Sequence, residues 1–287
     1  MPSIGRLIPA LLLGVTGAAG SLAAQEIWLG SGRRSAVSVE FLRPDLKMPG
    51  ADQSFASAAI FATGRFAIGK RTTLVVELPY AFGRVTYGYY LGPGGAISGW
   101  RSTLGNPYVG IEGGRDGDSF FGELGVRAPL FSDNSLSPLL VGTFADLERE
   151  DAFLSKVVTV SAFANLRASP PGGFVFRVRG GPLLWVPTAQ YVLTSPGGPN
   201  SGATELWFAY AVQAGYQSRS ATILGGVGGR AILTEGVSNR FIDQLVLAAS
   251  YRVGGLRPGV SVRLPIDNGR DQIVGSTIGV SLSVDFR

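Results

Sequence analysis

Apolar and small or polar side chains alternate along most of this chain. The pattern is plainest near its end, where Ile278, Val280, Leu282, Val284 and Phe286 hold one phase and Gly279, Ser281, Ser283 and Asp285 the other. A period of two puts the first set on one face of a strand and the second on the opposite face. The breaks between such segments alternate between tight and long. Short turns rich in Gly, Pro or charge fall near 69–71, 115–118, 170–173, 218–220 and 254–255, and longer connections near 43–53, 87–103, 131–155, 188–202, 235–240 and 267–271. The segments between them predict twelve strands, over 35–42, 54–68, 72–86, 104–114, 119–130, 156–168, 174–187, 203–217, 220–233, 241–253, 257–266 and 272–286.

Alternating short and long connections are what an up-and-down barrel produces, with short turns at the periplasmic rim and long loops outside. The expected fold class is therefore all-β, a single transmembrane antiparallel barrel of twelve strands with both termini periplasmic. The N-terminal pattern agrees with export. Arg6, an apolar stretch from Leu7 to Val15, and Ser21-Leu22-Ala23 before Ala24-Gln25 have the form of a secretory signal peptide. The expected organisation is a signal peptide over 1–24 and one barrel over 25–287, placed in a bacterial outer membrane. A final strand ending on Phe286 suits the closing strand of such a barrel.

Composition sharpens this reading. The chain is 45% hydrophobic and 16% charged, with a mean hydropathy of +0.24, yet it has no run of 18 apolar residues to form a membrane helix. A barrel reconciles the two, because it faces lipid with alternate side chains instead of blocks. The lack of cysteine is compatible with export without disulfides. The lack of histidine is more restrictive. It removes the usual general base and the commonest metal ligand, which excludes Ser-His-Asp hydrolysis and the histidine-dependent chemistry of outer-membrane phospholipases, deacylases, palmitoyltransferases and omptin-like proteases. The net charge of +5 is carried by arginine, with lysine only at 47, 70 and 156, and no basic run suggests nucleic acid.

The long third connection departs from strand periodicity. Ser137-Pro138, followed by Leu139, Leu140, Val141, Phe144 and Leu147 and then Glu148-Arg149-Glu150, predicts an N-capped amphipathic helix of about three turns. Such a helix fits either inside the lumen as a constriction or against the extracellular rim. Aromatics near predicted strand ends, Trp28, Tyr80, Tyr87, Tyr89, Tyr90, Trp100, Trp185, Trp207, Tyr210, Tyr216 and Tyr251, are expected in membrane girdles. Glycine pairs inside a predicted strand, Gly225-Gly226 and Gly228-Gly229, are expected to relieve crowding in the wall.

The phase opposite the apolar alternates lists the lumen-lining candidates. They are Glu77, Glu112 and Glu123 with Arg127, then Arg167, Arg177 and Arg179, then Glu205, Arg252 and Arg263, joined by Arg230 and Asp285. Acids concentrate on the third to fifth strands and arginines on the sixth, seventh and ninth to eleventh. Counting from the nearest turns puts Glu77, Glu123, Arg177, Arg179 and Arg263 at similar heights. Opposed walls of this kind would set a transverse field across a pore. The same residues would equally suit interior ion-pair ladders that close a narrow barrel. Carboxylates beside arginines stay ionised, which suits neither acid catalysis nor glycoside hydrolysis, so no enzyme activity is expected.

Several motifs between Phe61 and Gly114 carry a family likeness. Gly69-Lys70-Arg71-Thr72 opens a strand, Val76-Glu77-Leu78-Pro79-Tyr80 continues it, and Leu104-Gly105-Asn106-Pro107-Tyr108-Val109-Gly110 follows. With the segment from Gly142 to Phe153, including Asp146, Glu148 and Arg149, this resembles the outer-membrane barrels grouped as transporters or as the MetA-pathway phenol-degradation family. Where that family usually has an acidic residue before the motif proline, this chain has Asn106. The resemblance implies a barrel with a transport role and supplies no catalytic residue. The expected function is passive passage of small polar or aromatic solutes through a lumen with opposed Glu and Arg walls. The alternative is a closed structural or surface-interaction barrel acting through its loops. The expected partners are the lipid bilayer, the barrel-assembly machinery during insertion and a small-molecule solute, with no cofactor, metal or nucleic acid.

Overall fold

A computed structural model describes residues 35–48, 51–87, 99–114, 118–130, 136–168, 173–189, 203–234, 241–267 and 270–285. The expected signal peptide, Trp28, Tyr89, Tyr90 and Phe286 lie outside the described residues. The strands are β1 (Ala36–Leu46), β2 (Ala51–Gln53), β3 (Ala58–Ala67), β4 (Thr72–Gly83), β5 (Val85–Tyr87), β6 (Arg101–Leu104), β7 (Tyr108–Gly113) and β8 (Phe120–Arg127). An α-helix α1 (Leu136–Ala145) and a 3-10 segment (Leu147–Phe153) follow, then β9 (Val157–Ala168), β10 (Gly173–Pro187), β11 (Glu205–Gln217), β12 (Ala221–Ile232), β13 (Phe241–Tyr251), β14 (Leu256–Pro265) and β15 (Val274–Asp285).

Among the described residues the sheet is a closed antiparallel barrel of twelve strands, counting β6 and β7 as one interrupted strand. Each strand pairs with its neighbour in sequence, and β1 closes the circle by pairing β15 in the register Ala36↔Asp285 and Glu40↔Ser281. Closure satisfies the backbone groups of every edge, which a bilayer core requires because it offers no water to do so. β2 and β5 form a small separate ribbon at the rim of long connections.

The alternation read from sequence sets the two faces. Along β8, Phe120, Leu124 and Val126 point outward while Phe121, Glu123 and Arg127 are buried inside. Leu124 is 67% and Ile278 55% exposed, as lipid-facing side chains are when no bilayer surrounds them. Tyr80, Tyr210, Tyr216 and Tyr251 share this outward phase; Trp185 and Trp207 do not. Both tryptophans are fully buried in the interior, their rings 4.9 Å apart, so they belong to no girdle. The reason is phase: Leu206 and Phe208 on β11 take the outward positions and Trp207 falls between them.

Two predicted elements differ in detail. The fourth strand does not run unbroken over 104–114, because Gly105-Asn106-Pro107 interrupts the pairing to β4 between Leu104 and Tyr108. The predicted helix has its three or so turns but ends at Ala145, before Leu147 and Glu148-Arg149-Glu150, and Ser137 does not cap it. Ser137 Oγ bonds the backbone of Val85 instead, and the helix is followed by Asp146, whose extended backbone and side chain begin the 3-10 segment by accepting from Glu148 N at 3.1 Å. Its buried side, which includes Val141, Gly142, Phe144 and Ala145, leaves little of an amphipathic stripe. Within β12, a Cβ on Gly226 would fall 2.1 Å from Val212 O, so close approach of backbones requires glycine there.

Candidate functional site

The third long connection folds into the barrel. Its upper part, α1, is held by apolar packing: Val141, Phe144, Leu147 and Leu154 cluster with Trp185, Trp207, Ile232, Ile242 and Val274 of the wall. Burying each such side chain stabilises by about 1.5–3 kcal/mol, so this root of the insert is firmly seated. The lower part, 146–153, is held differently. Here Leu147, Ala152 and Phe153 still pack on apolar neighbours, and ion pairs to strands around most of the wall are added.

Arg149 is the hub. It pairs with Glu40 on β1, with Glu77 on β4 at 3.0 Å and with Asp146 at 2.8 Å, and its guanidinium lies 3.7 Å from the centre of the Phe61 ring. Arg127 on β8 reaches Glu77 at 2.8 Å and Asp151 at 3.1 Å. Glu150 receives Arg230 of β12 and, at 3.2 Å, Arg270, while Arg230 also stacks over Trp185 and Trp207. Gln244 on β13 donates to Asp146 at 2.9 Å and to Glu148 at 3.2 Å. In the non-spanning insert, burial alone would raise the Asp146 carboxyl, but Arg149 and Arg263 outweigh it and hold the group well below the usual carboxylate range. Glu148 moves the opposite way, raised by burial and by the Asp146 carboxylate beside it.

The break in the fourth strand serves the same insert. Asn106 Nδ2 donates to Asp151 O at 3.0 Å and Leu154 O at 2.7 Å, and its backbone N donates to Ala152 O at 2.7 Å. Arg127 Nη1 donates to Asn106 O at 2.8 Å. Leaving the ladder at 105–107 frees these groups to bind the insert, and Gly105 makes the approach possible: a Cβ there would fall 2.5 Å from Ala152 O. Pro107 follows where no ladder donor is needed.

Beside the lower insert lies a cavity of about 140 Å³, bounded by β3, β4, β7, β8, β9, β10 and β11 and extending from Glu148 towards the rim of short turns. Glu123 stands in its wall, accepting from Tyr108 Oη at 2.6 Å and from Arg179 at 3.0 Å, with Arg179 lying 3.9 Å from the centre of the Phe163 ring. Nearer the rim, Glu112 pairs with Arg65. Arg167 and Arg177 border the same space.

The sequence candidates are thus divided. Glu77, Glu112, Glu123, Arg127, Arg167, Arg177 and Arg179 border the cavity. Arg263 does not border it and is buried against Glu40 and Ser261. Glu205 accepts from Trp207 Nε1 at 3.1 Å near the opposite rim, and Arg252 pairs with Asp285 at 2.8 Å at the end of the barrel. Glu40, Arg65, Asp151, Asn165 and Gln213 were not singled out by sequence. Glu40 and Arg65 follow the inward phase of their strands, Ser38-x-Glu40 and Thr63-x-Arg65, which was a signal available to alternation.

No family model matches the chain, and no curated relative matches its sequence. Solved structures do match. The COG4313 outer membrane channel from Pseudomonas putida F1 superposes with a TM-score of 0.59 at 10% identity, covering 93% of this chain and 100% of its own. The NanC porin superposes with a TM-score of 0.51 at 9% identity, covering 88% and 99%. The likeness is one of fold. It is the fold of bacterial outer-membrane barrels, and it agrees with the apolar outer face and closed sheet described above.

Proposed function

We propose that this chain is an outer-membrane channel for small polar or aromatic solutes, in which the path runs between the ionic tip of the insert, 146–153, and the wall formed by β7 to β11. The observation that carries this reading is the polar cavity beside the tip, where ion pairs join the apolar contacts of Leu147, Ala152 and Phe153 in holding the insert. Buried ion pairs are a poor device for stability alone, because desolvation offsets most of their attraction. Polar walls that tolerate water are what a conducting lumen needs. The outer-membrane channels and porins of similar fold support a transport role, as does the resemblance around Gly105-Asn106-Pro107 to the phenol-degradation group.

The opposed Glu and Arg walls enter in reduced form. Glu77, Glu112 and Glu123 each carry an arginine partner, so their side of the lumen is close to neutral, and Arg177 is the buried arginine at the cavity with no hydrogen-bond partner among the described residues. No catalytic role is assigned: the chain has no histidine, and Glu77, Glu112 and Glu123 there are ion-paired. The apolar seating of α1 favours a second reading, a permanently closed barrel acting through its loops. Planar-bilayer recording of the refolded chain separates the two: small, ion-selective steps support the channel, and silence from a folded, heat-modifiable barrel supports the closed form.

A further inference from the structure

We infer that Arg177, with Arg167 and Asn165, forms a binding site for a small oxyanion, a carboxylate or phosphate group, in the cavity between the insert and the rim of short turns. Arg65, Arg127, Arg149, Arg230, Arg263 and Arg270 each pair with a carboxylate. Arg177 is as deeply placed, only 8% exposed, and its Nε, Nη1 and Nη2 have no hydrogen-bond partner among the described residues. A guanidinium carries five donors and accepts nothing, so an interior one without an acceptor marks a missing anion.

The surroundings select the sign and kind of ligand. Arg177 faces Arg167 directly across the β9–β10 ladder and Gln213 across the β10–β11 ladder, and the charged groups acting on it, Arg167 and Arg257, are cations. One step along the same wall, Asn165, opposite Arg179, has a buried Nδ2 that also lacks a partner among the described residues. All of these side chains except Arg257 border the cavity. Of the acids that border it, Glu112 pairs with Arg65, Glu123 with Arg179 and Tyr108, Glu77 with Arg127 and Arg149, and Asp151 with Arg127, while Glu148, on the insert, accepts from Gln244. Asp285 pairs with Arg252 and acts on Arg257. The unpartnered donors of Arg177 and Asn165 thus share one wall of the cavity, and none of the ion pairs at that cavity includes Arg177. Planar, forked guanidinium groups match the oxygen spacing of carboxylate and phosphate and suit them better than a spherical halide. The volume of about 140 Å³ holds such a group with a few waters.

As a statement of what the pore selects, this rests on the channel reading; the binding itself does not. The test is therefore made in detergent, away from conductance. The refolded barrel is titrated calorimetrically with sodium phosphate and, separately, sodium benzoate, in a chloride background. Saturable binding of either probe, weakened at least tenfold in Arg177→Gln and partly retained in Arg177→Lys, is expected. Response to phosphate alone assigns a tetrahedral ligand, and response to benzoate a carboxylate. No saturable binding of either probe by a heat-modifiable barrel, or binding that Arg177→Gln leaves unchanged, overturns the site. Binding by a barrel silent in bilayers would keep the site and overturn the channel; conductance without binding would do the reverse.

Discussion

Arg127 Nε lies 3.1 Å from Asp151 Oδ2, and this contact ties the barrel wall to the tip of the insert. The same guanidinium holds Glu77 at 2.8 Å and the carbonyl of Asn106 at 2.8 Å. One arginine thus joins the wall, the broken strand and the insert. Asp151→Asn keeps the shape but removes the charge, leaving Arg127 with Glu77 alone. The tip should loosen while α1 stays seated, seen as faster protease cleavage within 146–156 and an unchanged electrophoretic heat shift of the barrel.

Asn106 should matter more than its size suggests. Asn106→Ala removes two donors from the buried carbonyls of Asp151 and Leu154. An unsatisfied buried carbonyl costs about 1–3 kcal/mol. Urea unfolding in detergent should show a loss of at least about 2 kcal/mol, by that same accounting. Asn106→Asp should do worse than a neutral change, since a carboxylate would face two carbonyl oxygens and donate to neither.

Gly142 tests the packing of the root. A Cβ there would lie 2.5 Å from the Phe153 ring, which itself packs edge-on against Phe61 at 6.0 Å. Overpacking of this kind costs about 1–3 kcal/mol. Gly142→Ala should lower the unfolding midpoint, and the companion Phe153→Leu should recover part of the loss by vacating the space.

Proton binding should tighten the tip. Burial and the Asp146 carboxylate raise Glu148 to about 8, opposed by Gln244, Arg263 and Arg179. The docked tip then binds more protons than a released one between the ordinary carboxyl range and that value, so docking is fullest at acid pH and weakens as pH rises through the window. Glu148 is half-buried at the cavity, and water there moderates the effect. Openings should be more frequent at about pH 8 than at about pH 5, and Glu148→Gln should flatten that difference.

The barrel itself was legible because lipid imposes a period of two on every strand. Short and long breaks then gave the order of strands and the rim to which each connection belongs. The insert was only half legible. Ser137-Pro138 and the apolar residues after it marked a helix, but nothing local distinguishes a helix in the lumen from one on the rim, and Asp146 ends it by side-chain capping that alternation does not encode. Trp185 and Trp207 were misplaced because nearness to a strand end was weighed above phase. The pairings of Arg149 with Glu40 and Glu77 join positions 109 and 72 residues apart. Sequence phase shows that such groups face inward without showing which of them meet. The isolation of Arg177 was invisible for the same reason: an absent partner is a property of the assembled wall.

The central claim is that the ionic tip, and not the apolar root, closes a conducting lumen. Single-channel recording of the wild-type barrel beside Arg149→Gln with Asp151→Asn tests it most directly. Small, selective steps are expected from the wild type and longer, more frequent openings from the double variant. Equal silence from both, with each barrel folded and heat-modifiable, would contradict it.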